Sequence, residues 1–301
     1  MLIKKPKWDT SKGSLLSAYV FALPYLILFA AFTVVPVLIS ILLSFTDFNA
    51  FQFPDFIFFD NYIKLVLDDD IFLIALKNTV VLAMITGPAS YILCFFFAWC
   101  LNELSPKTRS LLMFCLYAPS ISGNAYLIWT LFFNDDSYGY LNGFLLNQGW
   151  ISDPVRWFKN PQYMMTLVIL VLLWMSLGTS LLVFVAGFQG IDRTLYEAAA
   201  VDGVRNRWQE LWYVTLPSMR PQLMFGAVMS ITGAFGIGDA ISGLTGNPST
   251  NYAVHTLMHH LQDYGATRFE MGYASAIAVI LFLMMLGCNK FIQKLLSSIG
   301  G

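Results

Sequence analysis

Hydrophobic and polar positions along this chain do not alternate. They segregate into long blocks. Six apolar stretches run without a charged residue: 13–46, 78–102, 110–134, 160–191, 221–238 and 271–289. A helix needs about 20 residues to cross the hydrocarbon core of a bilayer. The pattern therefore predicts six membrane-spanning helices and an all-α integral membrane protein. Pro24 lies near the start of the first stretch, where a helix tolerates it, whereas Pro36 lies deeper and predicts a kink. Gly87-Pro88 marks a bend in the second stretch, and Pro119 with Gly123 breaks the third. The fifth is glycine-rich and ends in an acid, Asp239.

The blocks divide the chain into a tail over 1–14, a first transmembrane helix over 15–46, and an outer loop over 47–77. A five-helix core over 78–294 follows, with a polar loop over 189–221 inside it, and then a tail over 295–301. The loop over 47–77 is acidic and aromatic, which predicts short interfacial segments. Orientation follows the basic residues. With the N-terminus in the cytoplasm, twelve of them face inward: Lys4, Lys5, Lys7, Lys12, Lys107, Arg109, Arg193, Arg205, Arg207, Arg220, Lys290 and Lys294. Five face outward: Lys64, Lys77, Arg156, Lys159 and Arg268. Both termini are thus expected inside (N-in, C-in), and the 189–221 loop is expected to be cytoplasmic.

Composition agrees with a membrane protein: 57% of the residues are hydrophobic and 12% are charged, against about 25% charged in soluble domains. There is no basic block, so nucleic-acid binding has no support. Cys94, Cys100, Cys115 and Cys288 all fall in apolar runs without metal-type spacing and read as buried small hydrophobes. The first apolar run is too long for a signal-peptide core, so it is expected to remain as a membrane helix.

Within the polar loop, Leu195-Tyr196-Glu197-Ala198-Ala199-Ala200 is strongly helix-forming. Gly203 is placed to close that helix in a left-handed conformation. A second short helix fits 206–214, with Trp208, Leu211 and Trp212 available to bury, before Leu216-Pro217 leads into the next span. On shape alone this could be an ordinary interfacial hairpin.

The wording of the loop adds to that shape. Glu197-Ala198-Ala199, then Gly203, then Leu216-Pro217, resembles the EAA loop of the permease subunits of ABC importers. Ten residues separate Gly203 from Val214, one more than in the family pattern, and the extra one falls in the second short helix. Further elements resemble the sugar-type branch, which includes the larger permease subunit of the maltose system. They are Ala22-Leu23-Pro24, Phe59-Asp60-Asn61-Tyr62, Asn78-Thr79, Tyr138-Gly139-Tyr140-Leu141-Asn142, Leu244-Thr245-Gly246-Asn247-Pro248 and Met271-Gly272-Tyr273-Ala274-Ser275-Ala276. The resemblance covers nearly the whole chain.

It implies a type I importer permease (MetI-like) fold in the bacterial plasma membrane. The cargo would be a carbohydrate, of oligosaccharide type; a non-sugar solute such as a glycerophosphoester is the alternative. Glu197, Ala198, Ala199, Asp202, Gly203, Leu216 and Pro217 would form the surface that docks on an ATPase and couples it to alternating access. The implied partners are a second permease chain, two cytoplasmic ATPase chains and an external sugar-binding protein. No phosphate-binding loop of the form GxxxxGK[ST] occurs in the chain, so ATP hydrolysis is expected on another polypeptide. No cofactor, metal or catalytic residue is expected.

Three other features stand out. An acid at membrane depth is by default a functional candidate. Asp239, with Ser242 and Asn124, is therefore a candidate for the translocation path or its outer gate; the other reading puts Asp239 in the outer interface beyond the end of the fifth span. His255, His259 and Asp263 are spaced to share one helix face, either as zinc ligands or as a plain exposed polar face. Ser176, Thr179 and Ser180 read as interhelical contacts, some of which could line a path, as could Tyr126 and Trp129. A membrane-embedded enzyme lacks its motifs here: neither HExxH nor GxSxG is present. A stand-alone secondary transporter would usually show an internal repeat and several coupling acids.

Overall fold

A computed structural model describes residues 12–298, and the side chains of residues 19–296. Lys4, Lys5 and Lys7, the side chain of Lys12, and the end of the 295–301 tail lie outside the described residues. The chain is helical throughout, and no sheet forms among the described residues; one isolated bridge joins Thr46 to Phe56.

The first apolar block is one long rod built from α1 (Lys12–Phe29), a π-helical turn (Ala30–Val34) and α2 (Val35–Leu43). The kink predicted at Pro36 takes this form. Proline lacks the N–H for the ladder and crowds the preceding turn, and a wider turn just before it relieves both. None of the 18 most apolar residues between Tyr19 and Leu43 is buried against the rest of the chain. The rod packs chiefly through α2 on the last helix.

The loop after the first rod contains α3 (Asp60–Leu67), and α4 (Asp70–Asn102) follows at once. This second span begins at Asp70 and not at Asn78, because the Asp69 carboxylate caps it by accepting from the Phe72 N–H at 2.9 Å. At the other end of α4, Arg109 donates to the carbonyls of Leu101, Asn102 and Leu104, which satisfies acceptors that a helix terminus leaves orphaned. The third block is split into α5 (Pro106–Ile121) and α6 (Leu127–Phe132). Then come α7 (Tyr140–Asn147), α8 (Pro161–Met175), α9 (Thr179–Gln189), α10 (Arg193–Val201), α11 (Arg207–Glu210), α12 (Leu216–Ser218), α13 (Arg220–Phe235), α14 (Gly238–Thr245), α15 (Leu257–Gln262) and α16 (Met271–Ser298).

Among the described residues three helices are long and apolar enough to cross a membrane: Tyr19–Leu43, Asp70–Asn102 and Met271–Leu296. Two bent pairs add two more if each is one span. They are α8 with α9, bent by 43°, and α13 with α14, bent by 42°. The broken α5–α6 pair occupies the remaining apolar block.

Helices α4, α9 and α13 pack against one another at the centre. Gly226 on α13 lets that helix sit on the ring of Phe184 on α9; a Cβ there would collide with the ring. One buried cluster, with Leu101, Phe188, Leu211 and Met219, underlies the polar loop. Two others lie under the remaining loops, one around Val168 and Ile241 and one around Leu65 and Ile277.

Three asparagines fasten loops to the helices. Asn61 donates to the carbonyls of Ser44 and Thr46, tying α3 to the end of the first rod. Asn78 donates to Tyr252 and His255, and the neighbouring Thr79 hydroxyl accepts from the Leu257 N–H. Asn142 is fully buried; it donates to Asn134 and Val155 and accepts from the Trp157 indole at 2.9 Å. Of the cysteines, only Cys94 is buried; Cys100 and Cys115 are exposed and Cys288 is half-buried. This corrects the sequence expectation: lying in an apolar run does not decide which face of the helix a residue takes.

Candidate functional site: a docking loop and a polar cavity

The loop between α9 and α13 folds as a helix, a turn and a second helix. Asp192 starts α10 by accepting from the Thr194 N–H at 3.0 Å. That bond and the Thr194 hydroxyl hold the Asp192 carboxyl below its ordinary value. The helix closes with paired bonds from Val204 N–H to Ala199 and from Gly203 N–H to Ala200, with Gly203 at φ +97°. This is the glycine-dependent termination that a short exposed helix requires. Open space surrounds the Gly203 Cα, so it is the backbone conformation that demands glycine.

The second helix departs from the expected continuous segment over 206–214. It is α11 followed by a π-helical turn, Leu211–Thr215, in which the Leu216 N–H reaches back to Leu211. A π turn holds one residue more than an α turn. The extra residue found in the sequence is absorbed at this point. The wider turn also decides what is buried. Leu211, Val214 and Thr215 face the core, whereas Trp208 and Trp212, read as available to bury, stay 70% and 64% exposed.

Glu197, Ala198, Asp202, Gly203 and Pro217 are exposed on this loop, and Ala199 and Leu216 are half-buried. Val201, 87% exposed, adds an uncovered apolar side chain beside them. The loop is nevertheless firmly held. The Tyr196 and Thr215 hydroxyls bond at 2.9 Å, and Arg207 pairs with both Glu103 and Glu210 at 2.8 Å. Trp208 meets Trp99 on α4 edge-on at 5.1 Å. The bond to Glu210 and the charges of Glu103 and Glu210 raise the basicity of Arg207 further.

Deeper in the helices lies an open cavity of about 400 Å³. Its lining includes Thr86 and Ser90 of α4, Ser176 and Thr179 around the α8–α9 bend, Ser230 of α13, and Asp239 in the first turn of α14. Within the fifth apolar stretch α13 ends at Phe235, and after the Gly236–Ile237 break Asp239 stands in the first turn of α14, among the residues that line this cavity. Gln262 donates to Asp239 at 3.5 Å. Ser242 and Asn124 lie outside the lining, although Gly123 belongs to it. Ser180 both borders the cavity and joins α9 to α13 through Ser230 and the Gly226 carbonyl. Trp129 is packed among Phe132, Phe133 and Trp174.

Residues 13–297 match the family described as the binding-protein-dependent transport system inner membrane component. The chain belongs to that family. Among its relatives, the probable ABC transporter permease YesP of Bacillus subtilis is 32% identical over 276 residues, 90% of this chain and 87% of that protein. The arabinooligosaccharides permease AraP of the same organism is 28% identical over 289 residues, 94% of this chain and 89% of AraP. The lactose permease LacF of Rhizobium radiobacter is 28% identical, covering 92% of this chain and 94% of LacF. Among solved structures, a chain of a bacterial ABC transporter that imports the acidic polysaccharide alginate superposes with a TM-score of 0.72. It is 25% identical, with 95% of this chain and 98% of that chain covered.

Against this permease fold, the histidine segment reads differently from either sequence alternative. α15 begins at Leu257, so His255 precedes it, and Asp263 opens a π turn where it pairs with Arg268 at 2.7 Å. The three groups do not share one exposed helix face. His255, His259 and His260 are all buried, because α15 is wedged between α4 and α16. Among the described residues no three His, Cys, Asp or Glu side chains stand close enough to hold a metal ion. His255 and His259 stack at 5.4 Å instead. Burial, and then the neighbouring histidines, push His255 down to about 4.

Sequence reasoning missed Asp69, the hub of that region. Its Oδ2 accepts from His260 at 2.9 Å and from the Tyr273 hydroxyl at 2.7 Å. Burial pushes its carboxyl up, but the bonds from Tyr273, Phe72 and His260 outweigh this and hold it below its ordinary value. The run Asp68-Asp69-Asp70 directly before a span was the available signal.

Proposed function

We propose that this chain is one transmembrane permease subunit of an ATP-driven importer of carbohydrate, of oligosaccharide type. The observation that carries the proposal is the 192–217 loop. It is rigidly held from behind, closed by Gly203, and presents Glu197, Ala198, Asp202 and uncovered Val201 outward. Small residues allow close helix approach, the acids offer charge-assisted bonds, and an ATPase cleft is the fitting partner. Closure of two such ATPases would rock the helices between inward- and outward-open states. Family membership supports dependence on an external binding protein, and the arabinooligosaccharide and lactose relatives support carbohydrate.

In this reading the chain crosses the bacterial plasma membrane six times with both ends in the cytoplasm, the broken α5–α6 pair forming the third crossing. The unburied rod over Tyr19–Leu43 is covered by lipid and by a second, homologous permease. Asp239 faces the translocation path, and Ser242 and Asn124 flank it on the outer side. A second reading, transport of a glycerophosphoester, has support from the sn-glycerol-3-phosphate permease UgpA of Agrobacterium fabrum, 28% identical over 75% of this chain.

Uptake into sealed vesicles tests the proposal. Vesicles holding this chain alone should take up no oligosaccharide. Vesicles holding both permeases, the ATPases and the binding protein should do so only with ATP. Uptake by the lone chain would make it a secondary transporter and remove the proposal.

A further inference from the structure

The cavity beside Asp239 has a chemical bias, and the relatives divide by the charge of the cargo they are named for. Some of them carry neutral cargo by name, such as arabinooligosaccharides and lactose. Others carry anionic cargo, such as sulfoquinovosyl glycerol and glycerol 3-phosphate. In this chain Asp239 is the one charged residue in the cavity lining, and no lysine, arginine or histidine contributes to it.

The hydroxyls around it share the bias. Thr86 donates to the Leu82 carbonyl at 2.8 Å, Ser90 to Gly87 at 2.9 Å and Ser176 to Leu173 at 2.7 Å, each within its own helical segment. Their protons are committed to the backbone, so the side facing the cavity offers lone pairs. Ser180 and Ser230 bond each other and the Gly226 carbonyl, so apart from the Thr179 hydroxyl the side-chain wall is a carboxylate plus acceptors. Such a surface attracts hydrogen-bond donors and repels anions.

We infer that this permease passes a neutral, hydroxyl-rich glycan and disfavours anionic ones, with Asp239 as the residue that sets the discrimination. The inference rests on the carbohydrate-importer reading above. Sugar hydroxyls supply donors to a wall that is mostly acceptors. A uronate, sulfonate or phosphate would bring a like charge toward Asp239 with no cation from this chain to offset it.

The test uses the assembled complex in proteoliposomes, with its binding protein saturated by each probe in turn. The probes are an arabino-oligosaccharide and the same oligosaccharide oxidised at its reducing end to the aldonate, which adds one carboxylate. The neutral probe is expected to enter at least about tenfold faster, the factor that corresponds to about 1.4 kcal/mol. Asp239→Asn should narrow that ratio several-fold, and Asp239→Glu, which keeps the charge, should retain it. Equal uptake of the two probes by the unaltered complex overturns the inference. So does a ratio that Asp239→Asn leaves unchanged, since the discrimination then lies elsewhere. If neither probe enters while a phosphodiester does, the carbohydrate reading fails first and takes this inference with it.

Discussion

Gly203 is held to glycine by its backbone and not by its surroundings. Its φ of +97° closes α10 and sets the angle between the two short helices. A bulky residue strains that conformation although open space surrounds it. Gly203→Leu is expected to leave assembly largely intact while separating ATP hydrolysis from uptake. Uptake per ATP hydrolysed in the reconstituted complex should fall by roughly tenfold, the factor that about 1.4 kcal/mol of altered coupling corresponds to. Normal coupling would remove the assigned role. This residue was legible in sequence because helix termination by glycine is local chemistry. His255 was not, since its burial depends on α4 and α16 closing over it. It is held neutral, with its pKa depressed from 6.5 to about 4. The folded state thus binds fewer protons than the unfolded chain between those values. Its stabilising contribution is complete above pH 6.5 and is lost as pH falls toward 4, by at most roughly 3 kcal/mol. Thermal unfolding in detergent should show the midpoint falling over this window, and His255→Gln should flatten the fall.

At the scale of elements, the family-like motifs turn out to be fasteners. The sequence showed where Asn61, Asn78 and Asn142 stand but gave no reason for them. Each is buried and ties two segments distant in sequence through backbone carbonyls. That pairing depends on which loops meet, and periodicity cannot report it. Asn78→Ala leaves the His255 carbonyl unpaired near α15, while the Tyr252 carbonyl keeps its bond from the His255 N–H, at a cost of about 1–3 kcal/mol. The variant should unfold at a lower temperature and become more open to proteolysis around 250–256, with nicking elsewhere unchanged. Helix breaks were read with mixed success for a similar reason. Pro36 announced its turn, whereas α4 runs unbroken through Gly87-Pro88, where the sequence predicted a bend. The Gly236–Ile237 break had no such local mark within a run already rich in glycine, and so Asp239 could be placed only once α13 and α14 were seen to separate.

For the whole molecule, hydropathy made the all-helical membrane class and the block order readable, since a bilayer imposes length and polarity on each segment. What hydropathy lacks is the partition of surface between lipid and protein. The first rod is the most apolar stretch and the least buried, while α4 and α16 are only partly covered. In sequence all three look alike, as did the four cysteines. Beyond the single chain, the π turn at Leu211–Thr215 bears on how such machines diversify. The wider turn lies behind α10, and the Gly203 closure of that helix stands in order beside it. The connector can thus vary in length while the plug keeps its shape. One cytoplasmic motor could then serve several importers of different cargo without having to change with each of them.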